Sequence, residues 1–162
     1  MDLPEELEKP LKPLFADLPL DVAMFRLVVD QPPSAAVVGM VEMILKDPAF
    51  AGREELQAGL WLYVDDLDRS HTICQGIDDE TGSYWHGIMH RREGDFSNSH
   101  YWFNKVGRHP VMPRIGGYDP HEFITAVETQ HTDDPEGLIA MQRREWEALF
   151  SWCVTNTRAE VE

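Results

Sequence analysis

The sequence predicts an all-α fold of about six helices, with a long central helix packed on an αα-hairpin and an irregular, proline-rich segment at the N-terminus. Apolar residues recur at three-and-four spacing through most of the chain, dipeptides that start or stop helices (Asp-Pro, Gly-Asp) separate these stretches, and no period-two run of convincing length occurs. With 162 residues, 43% hydrophobic and 27% charged, the chain supports one domain of ordinary size, and neither disorder nor a fibrous repeat is expected.

In this reading residues 1–33 wrap the surface and residues 34–162 form a single helical domain. Pro4, Pro10, Pro13, Pro19, Pro32 and Pro33 each remove a backbone donor, so no long helix is expected in the wrap. Between them, Val22 to Val29 is apolar enough to dock as a short helix or a strand. Ser34 then caps a helix whose stripe is Val37, Val38, Val41, Ile44 and Leu45, and Asp47-Pro48 ends it. Glu54 to about Ile77 reads as the central helix, about six turns long, with Leu56, Leu60, Val64, Leu67, His71 and Cys74 on one face. The run Asp65-Asp66-Leu67-Asp68 reads as its solvated side.

After turn chemistry at Asp78 to Gly82, the hairpin follows as Tyr84 to Glu93, a Gly94-Asp95 break, and Phe96 to Val106. Gly94 suits the left-handed position after a helix, and Asp95 can accept the free amides of the next. Gly107 to Asp119, with two prolines and three glycines, is a long connection and a candidate lid. Asp119-Pro120 opens a helix carrying Phe123, Ile124 and Val127. Asp134-Pro135 opens the last one, striped by Leu138, Met141, Trp146, Leu149, Phe150 and Cys153. Glu145, at the edge of that stripe, could complete a buried site, though an exposed position is the expectation.

Twenty-nine acidic against 14 basic side chains leave a net charge of −15, which repels phosphate backbones and anionic lipid, so neither nucleic acid nor membrane is an expected partner. The start, MDLPEELEKPLKPLF, lacks the basic end and apolar core of a secretory signal, and no apolar run approaches a membrane span. Cys74 and Cys153 make neither a CxxC nor a disulfide framework, and a cytoplasmic location is the expectation.

The chemistry concentrates in histidines. His71 takes a place on the central stripe where an apolar residue is due, so its ring should point inward, with Asp68 and Gln75 flanking it. In YWHGIMHRRE, His86, His90 and Glu93 stand at i, i+4 and i+7, within roughly a 60° arc of one helical face. His100 falls in register with Phe96 and Phe103 on the following helix. Three readings compete. In one, His71, His86 and His90 ligate a divalent transition metal, with Glu93 or His100 as fourth ligand, or with Glu93 and His90 moving protons. Gly87 stands where HExxH places its general base, so metalloprotease chemistry is not expected. In another, Arg91 and Arg92, with Gln75 and His100, line a pocket for a small anionic ligand. In the third, the histidines bond Asp68, Glu93, Asp95 or carbonyls and only specify packing. Tyr101, Trp102 and Phe103 read as core.

The segment YWHGIMHRREGDFSNSHYWFNKV resembles one tetratricopeptide-type hairpin. Gly87, Gly94, Asp95, Phe96, Ser99 and Phe103 stand where that repeat places its small and aromatic packing residues, over about one repeat. From LDRSH (Leu67 to His71) through HGIMHRREGDFSN to QRREWEALFSWC, well over half the chain is also similar to a family of bacterial and fungal helical proteins, a likeness that brings no established activity. The expected function is a small-ligand or metal-binding helical protein with a histidine-lined pocket, with enzymatic activity open. The alternative that the first resemblance implies is a tetratricopeptide-like interaction domain with structural histidines.

Overall fold

The computed structural model describes residues 1–130 and 135–156, which form eight α-helices and two short 3-10 turns, with no strand. Helix α1, Glu5–Asp17, occupies the segment expected to be irregular and holds Pro10 and Pro13 in its interior. An interior proline costs roughly 3 kcal/mol. The offset comes from Leu7, Leu11 and Leu14, which share one face and are fully buried, each burial contributing roughly 1.5–3 kcal/mol. Pro13 is exposed and Pro10 half-buried, and the carbonyls they leave free belong to the exposed Glu6 and Lys9, within reach of water.

The irregular wrap is therefore confined to the chain after α1. Val22 to Val29 is neither helix nor strand; it turns at Met24, whose φ is 53°. Side chains of the helices hold it: Tyr63 Oη donates to the Leu18 carbonyl at 2.5 Å, Arg143 Nε to that of Ala23 at 2.8 Å, and Gln142 Nε2 to that of Met24 at 2.8 Å.

Helix α2, Ala35–Ile44, forms where expected, but Ser34 sits at its N-cap position without the expected side-chain bond, and Asp47 caps the 3-10 turn Pro48–Phe50. The central helix is two helices, α3 (Glu54–Tyr63) and α4 (Leu67–Cys74). Asp65 breaks them with a left-handed φ of 64°, and Asp66 accepts the amide hydrogen of Arg69 to start α4. The buried Arg92 stabilises the break, donating to the Leu62 carbonyl at 2.8 Å and to Asp65 Oδ1 at 2.5 Å. The acid run is thus a capping device where a solvated helix face was expected. Ser70 Oγ, donating to the Ala58 carbonyl at 2.9 Å, ties α4 back onto α3.

Helix α5 spans Glu80–Glu93, starting earlier than its apolar residues suggest because Asp79 accepts from the Gly82 amide at 2.8 Å. Gly94 is left-handed at φ 86° and Asp95 caps α6, Phe96–Val106, through the Asn98 amide, both as predicted. The two helices approach closely at Gly87, where a Cβ would stand 2.7 Å from the Phe103 ring, and Ser99 Oγ donates to the Gly87 carbonyl at 2.7 Å.

Residues 107–119 pack onto the domain and do not form a free lid. His109, Val111 and Ile115 are buried, and the stretch includes a 3-10 turn, Met112–Arg114. Helices α7, Pro120–Gln130, and α8, Glu136–Thr155, complete the fold. Asp119 accepts from the Glu122 amide to start α7; the expected Asp134 cap lies outside the described residues. Helix α8 crosses α3 at Gly59, whose carbonyl accepts from Trp146 Nε1 at 2.8 Å. Among the described residues no helix is long and apolar enough to cross a membrane.

Candidate metal centre

Helices α4 and α5 bring His71, His86 and His90 together. Ring centroids are 4.8 Å apart for His71 and His86, 5.4 Å for His71 and His90, and 4.8 Å for His86 and His90. One nitrogen from each ring lies within 4.8 Å of the others. The break at Asp65 allows this meeting, because it lets the short α4 fold back across α5. His86 and His90 stand one turn apart on α5 and are buried, while His71 is half-buried.

The polar accounting of this group is incomplete within the protein. Nδ1 of His86 is buried without any hydrogen-bond partner. Among the described residues, the histidine rings that do make hydrogen bonds are those of His90, His100, His109 and His121. His90 Nδ1 bonds Glu93 Oε1 at 2.5 Å. An ionised carboxylate can only accept, so Nδ1 carries the proton and Nε2 of a neutral His90 keeps a lone pair. Burial, followed by the neighbouring His90, His71 and Lys105, pushes the pKa of His86 down to about 3, which keeps that ring in the neutral, ligating form.

A wall of the site comes from α6. The indole of Trp102 stacks on His86, and Lys105 Nζ stands 4.6 Å from the Trp102 ring centre. Trp102 was expected in the core together with Tyr101 and Phe103. Phe103 is buried, Tyr101 is exposed and Trp102 is half-buried over the imidazole. The signal for it is in the sequence: His86 and Trp102 stand equally far from Gly94, so folding the hairpin at that glycine places them opposite each other.

Glu93 sits at the rim, its side chain 40% exposed, and joins His90 and Asp95 in a second group whose potential ligand atoms lie within 4.8 Å of one another. The other predicted site residues are elsewhere. Gln75 is exposed at the end of α4. His100 pairs with His121 of α7, the rings parallel within 1° and the Nδ1 atoms 2.7 Å apart. Arg91, expected to meet an anion, is fully buried, and its guanidinium donates to both oxygens of Glu145 at 3.0 and 2.7 Å and to Gln142 at 3.4 Å. Glu145 is not exposed as expected; it is fully buried and also accepts from Tyr118 Oη at 2.6 Å. Arg92 is spent on the break at Asp65. Five surface clefts of 200 to 500 Å3 are lined by other residues, while the histidines cluster beneath the Trp102 ring.

Such a group can do one of two things chemically. Three neutral imidazoles can accept a cation into their lone pairs, or they can exchange protons with solvent through the rim carboxylates. Comparison of the chain with protein-family models, curated proteins and solved structures finds no match to any of them.

Proposed function

We propose that the protein binds a divalent transition metal ion, zinc being the reference ion, through His71, His86 and His90, with Glu93 holding His90 in its ligating tautomer. The supporting observation is the convergence of three imidazoles from two helices, with the buried Nδ1 of His86 left without a hydrogen-bond partner. A buried polar atom left unbonded costs roughly 1–3 kcal/mol. Borderline ions such as zinc, nickel or copper are well suited to imidazole and turn that cost into binding.

Zinc–nitrogen bonds of about 2.0–2.1 Å put tetrahedral ligand atoms roughly 3.4 Å apart. Here the nitrogens are within 4.8 Å of one another, so ligation draws them inward. The rings of His86 and His90 lie at 19°, which directs their in-plane lone pairs side by side, so at least one ring turns on ligation. Three imidazoles leave a fourth position open at a tetrahedral ion, and Glu93, on the Nδ1 side of His90, stays outside the ligand set. A bound ion would supply Lewis acidity there.

The test is metal content after dialysis of untagged protein against zinc, followed by removal of free ion. The expected result is one ion per chain in the wild type and a marked loss in His86→Ala and His90→Ala, both checked for folding by circular dichroism. No retained ion, with no thermal shift on adding zinc, nickel, iron(II) or manganese, would sink the proposal. An interaction domain with histidines used for packing would then be the better reading.

A further inference from the structure

The cations of this chain are not distributed evenly over its acids. Among the described arginines, Arg26, Arg53, Arg69, Arg91 and Arg92 each pair with a carboxylate, and Arg143 bonds a backbone carbonyl. Arg108, Arg114 and Arg144 make no ion pair among the described residues, in a chain with 29 acidic and 14 basic side chains, and two of these three, Arg114 and Arg144, line the same cleft of about 380 Å3. Like charges gathered in one concavity repel, and an excess of acid elsewhere makes their isolation more telling.

Each arginine has neighbours that help hold it in place. The Arg114 guanidinium stands over the Trp152 ring at 5.3 Å, and Trp152 in turn packs edge-on against the buried His109. Arg144 lies with Nη2 at 3.8 Å from Met141 Sδ. Between them the cleft presents Ser151 from α8 and Gly116 from the turn after the 3-10 helix, where Gly117 is left-handed at φ 68°. Glu147 is the one acid in the lining, and its carboxylate lies 3.2 Å from the amine of Met1. Two guanidinium forks beside a hydroxyl and a glycine backbone form a donor set suited to oxyanions, and the volume holds a phosphate group with a small substituent.

We propose that the cleft between the 112–117 turn and α8 binds a small phosphate-bearing ligand, with Arg114 and Arg144 as its anion-binding residues. This site is separate from the histidine cluster and does not depend on a metal.

The experiment titrates metal-free protein, kept with a chelator, with inorganic phosphate at pH 8, where phosphate is mostly the dianion. Binding is followed by calorimetry and by amide chemical shifts. Expected is saturable 1:1 binding, with the largest shifts at Gly116, Gly117 and Ser151. Arg114→Gln and Arg144→Gln should each weaken it by about tenfold or more, while Arg108→Gln, an exposed arginine outside the lining, leaves it unchanged. Both arginines in the cleft are exposed, so thermal melts of these variants should match the wild type. Absence of saturable binding, equal weakening by Arg108→Gln, or succinate binding as tightly as phosphate would each overturn the proposal.

Discussion

The indole of Trp102 lies flat on the imidazole of His86, with ring centroids 3.7 Å apart and planes 13° from parallel. This contact makes one of five tryptophans a reporter on the histidine cluster. Copper(II) or nickel(II) bound to His86 should quench a defined part of the tryptophan emission. Trp102→Phe should lose that part and keep metal affinity within a few-fold, as read by competition with a chromophoric chelator. Quenching that survives in Trp102→Phe would place the ion elsewhere.

Glu93 orients His90 from the rim, at 2.5 Å from Nδ1. Loss of such a partner typically lowers metal affinity 10–100-fold. Glu93→Gln should fall in that range in zinc competition assays, and Asp68→Asn, on the exposed side of α4, should not. Equal affinity in wild type and Glu93→Gln would deny the carboxylate its positioning role.

Much of this arrangement is legible in the sequence and some is not, for physical reasons. The left-handed Gly94, the Asp95 cap and the His86–His90–Glu93 stripe follow from short-range rules, and the structure shows each of them. The helix at Pro10 and Pro13 does not, because long-range burial of Leu7, Leu11 and Leu14 outweighs a local penalty. The break at Asp65 is hidden because apolar spacing continues across it, and its stabilising partner, Arg92, is far away in sequence. Glu145 is misplaced by any rule based on polarity alone, since a buried carboxylate depends on a cation contributed by another helix. His71 turns inward as its place on the stripe predicts, but on a separate, shorter helix than expected.

The Arg91–Glu145 pair tests directly whether the buried carboxylate depends on its cation. Both side chains are at most 1% exposed and are joined by two hydrogen bonds, with Tyr118 adding a third to Glu145. Removing one member of a buried pair costs roughly 3–5 kcal/mol, while apolar replacement of both costs far less. Glu145→Gln should lose about 3 kcal/mol or more in urea unfolding, and the double variant Arg91→Met with Glu145→Leu should recover most of it. A loss under about 1 kcal/mol in Glu145→Gln would mean that Gln142 and Tyr118 hold Arg91 adequately on their own.

His109 couples stability to pH. Its Nδ1 accepts from the Val111 amide at 3.2 Å, so Nε2 carries the proton and donates to Thr81 Oγ1 at 3.1 Å. Burial lowers its pKa against the opposing pull of Glu80 and Asp79, with Arg114 adding to the lowering. The unfolded chain therefore takes up a proton near the ordinary value of 6.5 that the folded chain resists. Stability is full above that pH and declines as pH falls below it. His109→Gln keeps a donor toward Thr81 and removes the titration. Its unfolding free energy should fall less steeply than that of the wild type as pH is lowered from about 7.5 to 5.5, the window bracketing the ordinary histidine value. Parallel slopes would show that His109 protonates as easily folded as unfolded.

The most direct measurement of the metal assignment is X-ray absorption at the zinc edge of the loaded protein. Three imidazole ligands at about 2.0–2.1 Å are expected, falling to two in His86→Ala. A spectrum of oxygen ligands alone, unchanged by that substitution, would contradict the assignment of the ion to His71, His86 and His90.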